Sequence, residues 1–281
     1  MIRDLLLPTT GTPGDANALD AAVLLASGFG AHLAVLETVN LPMFMPSPWG
    51  IVPDTLLTDL YAQLNATGEA NVEHLRARLA REDISHEVRL ADAKFVSRAR
   101  CIAMQARHVD LCVLTGSVMQ TPFESEVVEA TFAGLLFESG RPVLLVPPRY
   151  RMQWPLRRAV VAWRPTREAA RALHDALPLL LRTESVDVVA IEPEPGEARY
   201  GDQPGADVGE HLARHGLKVN VVNLQRGSGT VATALLRHAA DTDAQLLVAG
   251  GYGHSRLREW ILGGTTDDLM RAMHLPVLFS H

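Results

Sequence analysis

The sequence predicts an α/β protein made of two similar halves, each ordered β-α-β-α-β-α-β-α-β. Three observations carry this. Short apolar runs alternate with longer helical stretches along all 281 residues, the rhythm of parallel strands joined by crossover helices. The length suits two domains of roughly 100–200 residues each. Stretches of the first half also recur in the second at matching spacing, the mark of an internal repeat.

In the first half, strands are expected at 5–8, 32–39, 86–90, 110–115 and 142–146, with helices near 15–29, 54–81, 94–107 and 124–139. In the second half, strands are expected at 159–163, 185–191, 218–224, 245–249 and 276–279. The helices there fall near 167–181, 207–215, 230–240 and 258–273. Asp110-Leu-Cys-Val-Leu-Thr-Gly116 lies over Ala244-Gln-Leu-Leu-Val-Ala-Gly250, and at the same offset Arg141-Pro-Val-Leu-Leu-Val146 meets Leu275-Pro-Val-Leu-Phe-Ser280. Nearer the start, Leu5-Leu-Leu-Pro8 corresponds to Val160-Val-Ala-Trp163, and His32-Leu-Ala-Val-Leu-Glu37 to Asp187-Val-Val-Ala-Ile-Glu192. The offset changes because the first half carries a longer second helix and a loop at 41–53 rich in proline and methionine. Between the halves, 147–155 holds three prolines and two arginines. Proline withholds a strand donor and discourages helix, so an extended connector is expected there. The domains are thus drawn at 1–148 and 156–281.

Composition narrows the function. Hydrophobic residues make up 47% and charged residues 21%, the balance of a globular protein with a real core. The net charge of −6 offers no basic footprint for nucleic acid. The apolar run at 1–8 is too short for a secretory signal, and no stretch approaches the ~18 apolar residues of a membrane span. Cys101 and Cys112 form no CxxC and read as reduced core thiols. The expectation is a cytoplasmic protein with no membrane partner.

One segment carries chemistry. An apolar strand ends at Gly250 and leads into Gly251-Tyr-Gly253-His254-Ser255-Arg256-Leu-Arg258, and a second glycine pair, Gly263-Gly264, precedes Thr265-Thr266 and a helix. Glycine lets the backbone approach a ligand closely. Free amides at a helix start, with the helix dipole, face an anion. His254, Arg256 and Arg258 add positive field, while Thr265 and Thr266 offer hydroxyl donors. The segment follows the carboxyl end of a strand, where open α/β sheets bind ligands.

At Gly250-x2-Gly253-x9-Gly263 the chain resembles the universal stress protein family, whose ATP-binding members carry G-x2-G-x9-G-[S/T]. Gly264 stands where serine or threonine is expected, with Thr265 next. Ala162-Trp163-x3-Arg167-Glu168-Ala-Ala-Arg-Ala172 adds to a resemblance that runs over the whole chain, twice. It implies two tandem domains of the adenine nucleotide alpha hydrolase-like, Rossmann-like type. Each would be a five-stranded, mostly parallel sheet flanked by helices, packed as an intramolecular pseudo-dimer. A homodimer through a last strand, or a monomer with the halves satisfying each other, are both open. The resemblance further implies ATP, with or without Mg2+, in the second domain. Phosphates would lie on Gly250, Gly253, His254, Ser255, Gly263, Gly264, Thr265 and Thr266. The adenosine end would lie between the first two strand ends, near Ala162, Trp163, Arg164 and Val189.

Two departures bear on this. The family's Asp-Gly-Ser after the first strand is replaced by Arg164-Pro165-Thr166 in the second half and Thr9-Thr10-Gly11 in the first. Arg164 either meets a phosphate or fills the pocket. In the first half, Gly116, Met119, Glu129 and Ala130 stand at the positions of Gly250, Gly253, Gly263 and Gly264. A carboxylate and side-chain bulk there oppose phosphate binding.

Other patterns carry less. Gly227-Ser-Gly229-Thr-Val-Ala232 satisfies G-x-G-x-x-A, but no acidic residue ends the next strand, so a capping role for Ser228 or Thr230 is expected. His211 and His215 beside Glu210 lack further ligands for a metal. Asp267 and Asp268 suit the first turn of a helix, and Met43 and Met45 suit a covering loop. The sequence has no P-loop, no G-x-S-x-G and no general base with an orienting partner. Two functions stay open: a nucleotide-binding stress-response regulator with at most slow ATP hydrolysis, or a scaffold that binds no nucleotide and works through contacts with a protein partner that the sequence does not name.

Overall fold

The computed structural model describes residues 1–39, 54–93, 96–117, 121–192, 204–252 and 264–281, with the backbone alone at 54–57. Ten strands form one sheet: β1 (Asp4–Pro8), β2 (His32–Val39), β3 (His86–Asp92), β4 (Leu111–Thr115), β5 (Val143–Val146), β6 (Arg158–Ala162), β7 (Ser185–Ile191), β8 (Val219–Leu224), β9 (Leu246–Gly250) and β10 (Val277–Ser280). The helices are α1 (Asp15–Phe29), α2 (Asp54–Leu79), α3 (Arg98–Ala106), α4 (Pro122–Gly134), α5 (Arg167–Leu180), α6 (Ala206–Arg214), α7 (Val231–Asp241) and α8 (Gly264–Ala272). A π-helical turn, Leu135–Ser139, prolongs α4.

The strand order is β3-β2-β1-β4-β5-β10-β9-β6-β7-β8. Read outward from the centre, the two halves have the same order. Pairing within each half is parallel, as short apolar strands linked by helices require. The exception is β5 with β10, which run antiparallel with Leu144 opposite Leu278. The last strand of each half therefore closes on the other, and the pseudo-dimer is contained in one chain. That pairing occupies both strand edges through which a second copy would otherwise join. The free edges are β3 and β8.

Apolar side chains line both faces of the sheet. One layer packs α1, α2, α5 and α6 through Leu25, Leu79, Leu173 and Leu212. The other packs α3, α4, α7 and α8 through Ile102, Phe132, Leu235 and Leu269. Phe132 of the first half meets Phe279 of the second, ring centroids 5.3 Å apart, so one core crosses the midline.

The connector at 147–155 has no regular structure, as its prolines predict, but it is fastened. The Arg149 N–H donates to Asn17 Oδ1 (3.1 Å), and Asn17 Nδ2 donates to the Tyr150 carbonyl (3.2 Å). Trp154 lies on Gly28, where a Cβ would stand 2.1 Å from the indole Nε1, and on Phe29 with centroids 5.0 Å apart.

Several expected ends move slightly. The third helix begins at Arg98 rather than 94, with Ser97 as N-cap accepting from the Arg100 N–H. The fourth begins at Pro122, because Thr121 and Glu124 form a capping box one turn earlier than apolar spacing indicates. Thr230 caps α7, as expected, accepting from the Thr233 N–H. Of the 41–53 loop with Met43 and Met45, and of 258–263 at the expected start of the last helix, nothing lies within the described residues.

Candidate functional site

The carboxyl ends of β6, β7 and β9 share one rim of the second half. Gly253, His254, Ser255 and Gly263 of the expected cradle lie outside the described residues. The others can be placed. Gly250 ends β9, and Gly264 begins α8 with Thr265 exposed beside it. Among the described residues, nothing lies within 4 Å of where a Gly264 Cβ would stand. Thr266 is buried, and its Oγ1 receives the Tyr252 N–H at 3.4 Å, tying the helix to the turn that follows β9. Ala162 ends β6, Trp163 is half-buried, and Arg164 is exposed. The exposed first turn of α8 and the exposed Arg164 are groups of the kind that attract an anion. Asp267 is engaged by Arg271 Nε at 2.9 Å.

Two of the expected site residues also serve the packing of the fold. Gly250 is a packing glycine: a Cβ there would stand 2.6 Å from both Ala169 N and Glu168 C, in the backbone of α5. Its missing side chain brings the first turn of α5 against the end of β9. Val189 lies opposite Ala162, level with the end of β6, with its side chain in the core. It is 1% exposed, and its carbonyl accepts the Trp163 N–H at 2.8 Å. The strand's exposed end is Glu192, in the left-handed region at φ 48°.

The loop after β6 caps α5 internally. Thr166 is the N-cap and accepts from the Ala169 N–H. Glu168 is buried. Burial works against its charge, but hydrogen bonds from its own N–H and the Thr166 hydroxyl, with Arg167 nearby, hold the carboxyl below the ordinary range.

The first-half rim is filled from within. The Asp15 carboxylate takes the Thr10 N–H (2.8 Å), the Thr10 hydroxyl (2.7 Å) and the Gly11 N–H (2.8 Å), so the amides after β1 already hold an anion. Arg98 donates to the Thr9 carbonyl at 2.6 Å, and Thr9 Oγ1 donates to Glu37 at 2.5 Å. Burial pushes the Asp15 carboxyl up, against the Thr10 and Gly11 hydrogen bonds and the Arg98 charge. Glu129, at the position of Gly263, is half-buried on α4. Asp15 was missed by sequence reasoning. Its place at the start of a helix signalled a dipole role, and the turn back to Thr10 gave no separate signal.

Among the described residues, no three His, Cys, Asp or Glu side chains group to hold a metal, and no helix is long and apolar enough to cross a membrane. Cys101 and Cys112 are free thiols.

A sheet built twice from parallel strands, with helices on both faces, defines an α/β protein of two similar halves. A model described as the universal stress protein family matches residues 155–281, the second half of the chain. The universal stress protein Slr1230 of Synechocystis is 22% identical over 299 aligned positions, covering 99% of each chain. A universal stress protein structure from Archaeoglobus fulgidus superposes with a TM-score of 0.73 at 19% identity, covering 99% of this chain and 95% of that one. A Pseudomonas aeruginosa structure gives 0.61 at 19% identity, covering 99% and 93%. These two likenesses show that the fold extends over both halves.

Proposed function

We propose that this chain is a stress-response regulator in which domain 156–281 holds one adenine nucleotide, ATP, and domain 1–148 holds none. The observation that carries the reading is the asymmetry of the two rims. In the first, the loop amides are taken by Asp15. In the second, among the described residues, nothing lies within 4 Å of a Gly264 Cβ, and Thr265 and Arg164 are exposed. The spacing Gly250-x2-Gly253-x9-Gly263 supports a phosphate cradle at the second rim. In this reading Gly253, His254, Ser255, Gly263, Gly264, Thr265 and Thr266 surround the phosphates. Gly250 brings α5 close, and Ala162, Trp163 and Arg164 line the adenosine side. The protein acts by binding, with at most slow hydrolysis. Its protein partner is unnamed, and its place is the cytoplasm.

Bound ligand stabilises a fold by mass action, about 2.7 kcal/mol at a hundred times Kd. Thermal unfolding with ATP, ADP and AMP, with and without Mg2+, is expected to rise with ATP and not to rise in Gly253→Glu. A flat response to every adenylate supports the other reading, a scaffold without nucleotide. Arg164, at the position of the family's aspartate, favours that alternative.

A further inference from the structure

The turn that leaves β9 toward the glycine segment is built partly by the other half of the chain. At Gly251, a Cβ would stand 2.7 Å from Leu136 Cδ2. The Gly251 N–H donates to the Ser280 carbonyl at 2.8 Å, and its own carbonyl accepts from His281 Nδ1 at 3.0 Å. Tyr252 follows in the left-handed region at φ 54°, a conformation that a bulky residue keeps only when its surroundings impose it. Those surroundings come from both halves. Thr266 Oγ1 takes the Tyr252 N–H, and the Tyr252 ring lies against Phe137 with centroids 4.9 Å apart. Phe137 in turn stands edge-on to His281 at 5.1 Å.

Phe137 belongs to the π-helical turn Leu135–Ser139. Such turns insert a residue and re-aim side chains, often at functional sites. Here the turn presents Leu136 to Gly251 and Phe137 to Tyr252 together. Among the described residues the buried Tyr252 hydroxyl has no partner, and burial, together with the charges of Asp267 and of Glu129 from the first half, pushes its ionisation up. Tyr252 is therefore held in place by packing and by its main chain, not by its hydroxyl.

We propose that the first half is the positioning element for the second half's site: Phe137, acting through Tyr252, fixes the direction in which the chain leaves β9 and so sets ligand affinity. Phe137 is a positioning residue that touches no ligand. The affinity part rests on the nucleotide reading above, and the positioning part does not.

The test compares wild type, Phe137→Ala and Phe137→Tyr in the full chain. Phe137 is 37% exposed, so truncation is expected to leave the fold intact by circular dichroism. Hydrogen exchange of the amides at 250–252 and 264–266 is read without ligand, and the ATP Kd by calorimetry. Phe137→Ala is expected to speed exchange at these amides about tenfold and to weaken ATP about tenfold, and Phe137→Tyr to restore both. Unchanged exchange in Phe137→Ala overturns the proposal, whatever the ATP result. Faster exchange in a protein that never binds ATP retains the positioning role and sinks the nucleotide reading alone. If wild type binds ATP, faster exchange with an unchanged Kd overturns the link to affinity.

Discussion

Replacing Gly250 by alanine separates packing from ligand binding at the position where the two were easiest to confuse. The new Cβ would stand 2.6 Å from Ala169 N and Glu168 C, both backbone atoms of α5, and 3.0 Å from Ala169 Cα. Ordinary contact begins at 3.4 Å, so α5 must retreat by about 0.8 Å from β9 (3.4 − 2.6). Overpacking of this kind costs roughly 1–3 kcal/mol, and the backbone has no flexible end to swing aside. Gly264→Ala is the matched control, since none of the described residues lies within 4 Å of its Cβ and its effect should stay within about 0.5 kcal/mol. Urea unfolding followed by circular dichroism, with no nucleotide present, reads both. Gly250→Ala should lose stability and Gly264→Ala should not. Equal midpoints for wild type and Gly250→Ala would refute the packing role.

Three further outcomes are expected. Asp187 is buried inside β7, where it accepts from Asn220 Nδ2 at 2.8 Å and pairs with His238 Nε2 at 3.0 Å. Asp187→Ala leaves both partners without their acceptor and should cost about 1–3 kcal/mol by denaturant unfolding. Glu168 has a folded-state pKa below its ordinary 4.5, so it contributes stability above pH 4.5 that is lost as pH falls through the folded value. The difference in stability between wild type and Glu168→Gln should therefore shrink on acidification through that window and stay constant above it. Cys112 is fully buried, and burial pushes its thiol up to about 12. Mass spectrometry after alkylation at pH 8 should find Cys112 modified only in denaturant and Cys101, which is partly exposed, modified first.

Most of the fold could be read from local pattern. Runs such as Leu-Leu-Leu at 5–7 and Val-Val-Ala-Ile at 188–191 are apolar enough to be strands buried on both faces. The constant offset between 110–116 and 244–250 placed β4 over β9 before any contact was known. Features fixed by tertiary packing could not be read this way. The packing role of Gly250 was hidden because α5, the element that needs its space, begins 83 positions earlier in the chain (167 against 250), beyond any local pattern. Val189 was named by likeness to a family pattern; its pairing with Ala162 at the end of β6 is a non-local contact that no local run of residues signals. The Asp187 network joins residues 33 and 51 positions apart. The π-helical turn at Leu135–Ser139 continues a helix without any break in apolar spacing.

Counting nucleotides per chain decides most directly whether only one rim is open. Equilibrium dialysis with ATP at saturation, on wild type and Gly253→Glu, is expected to give one bound per chain for the first and none for the second. Two per chain, none in wild type, or one retained in Gly253→Glu would contradict the account.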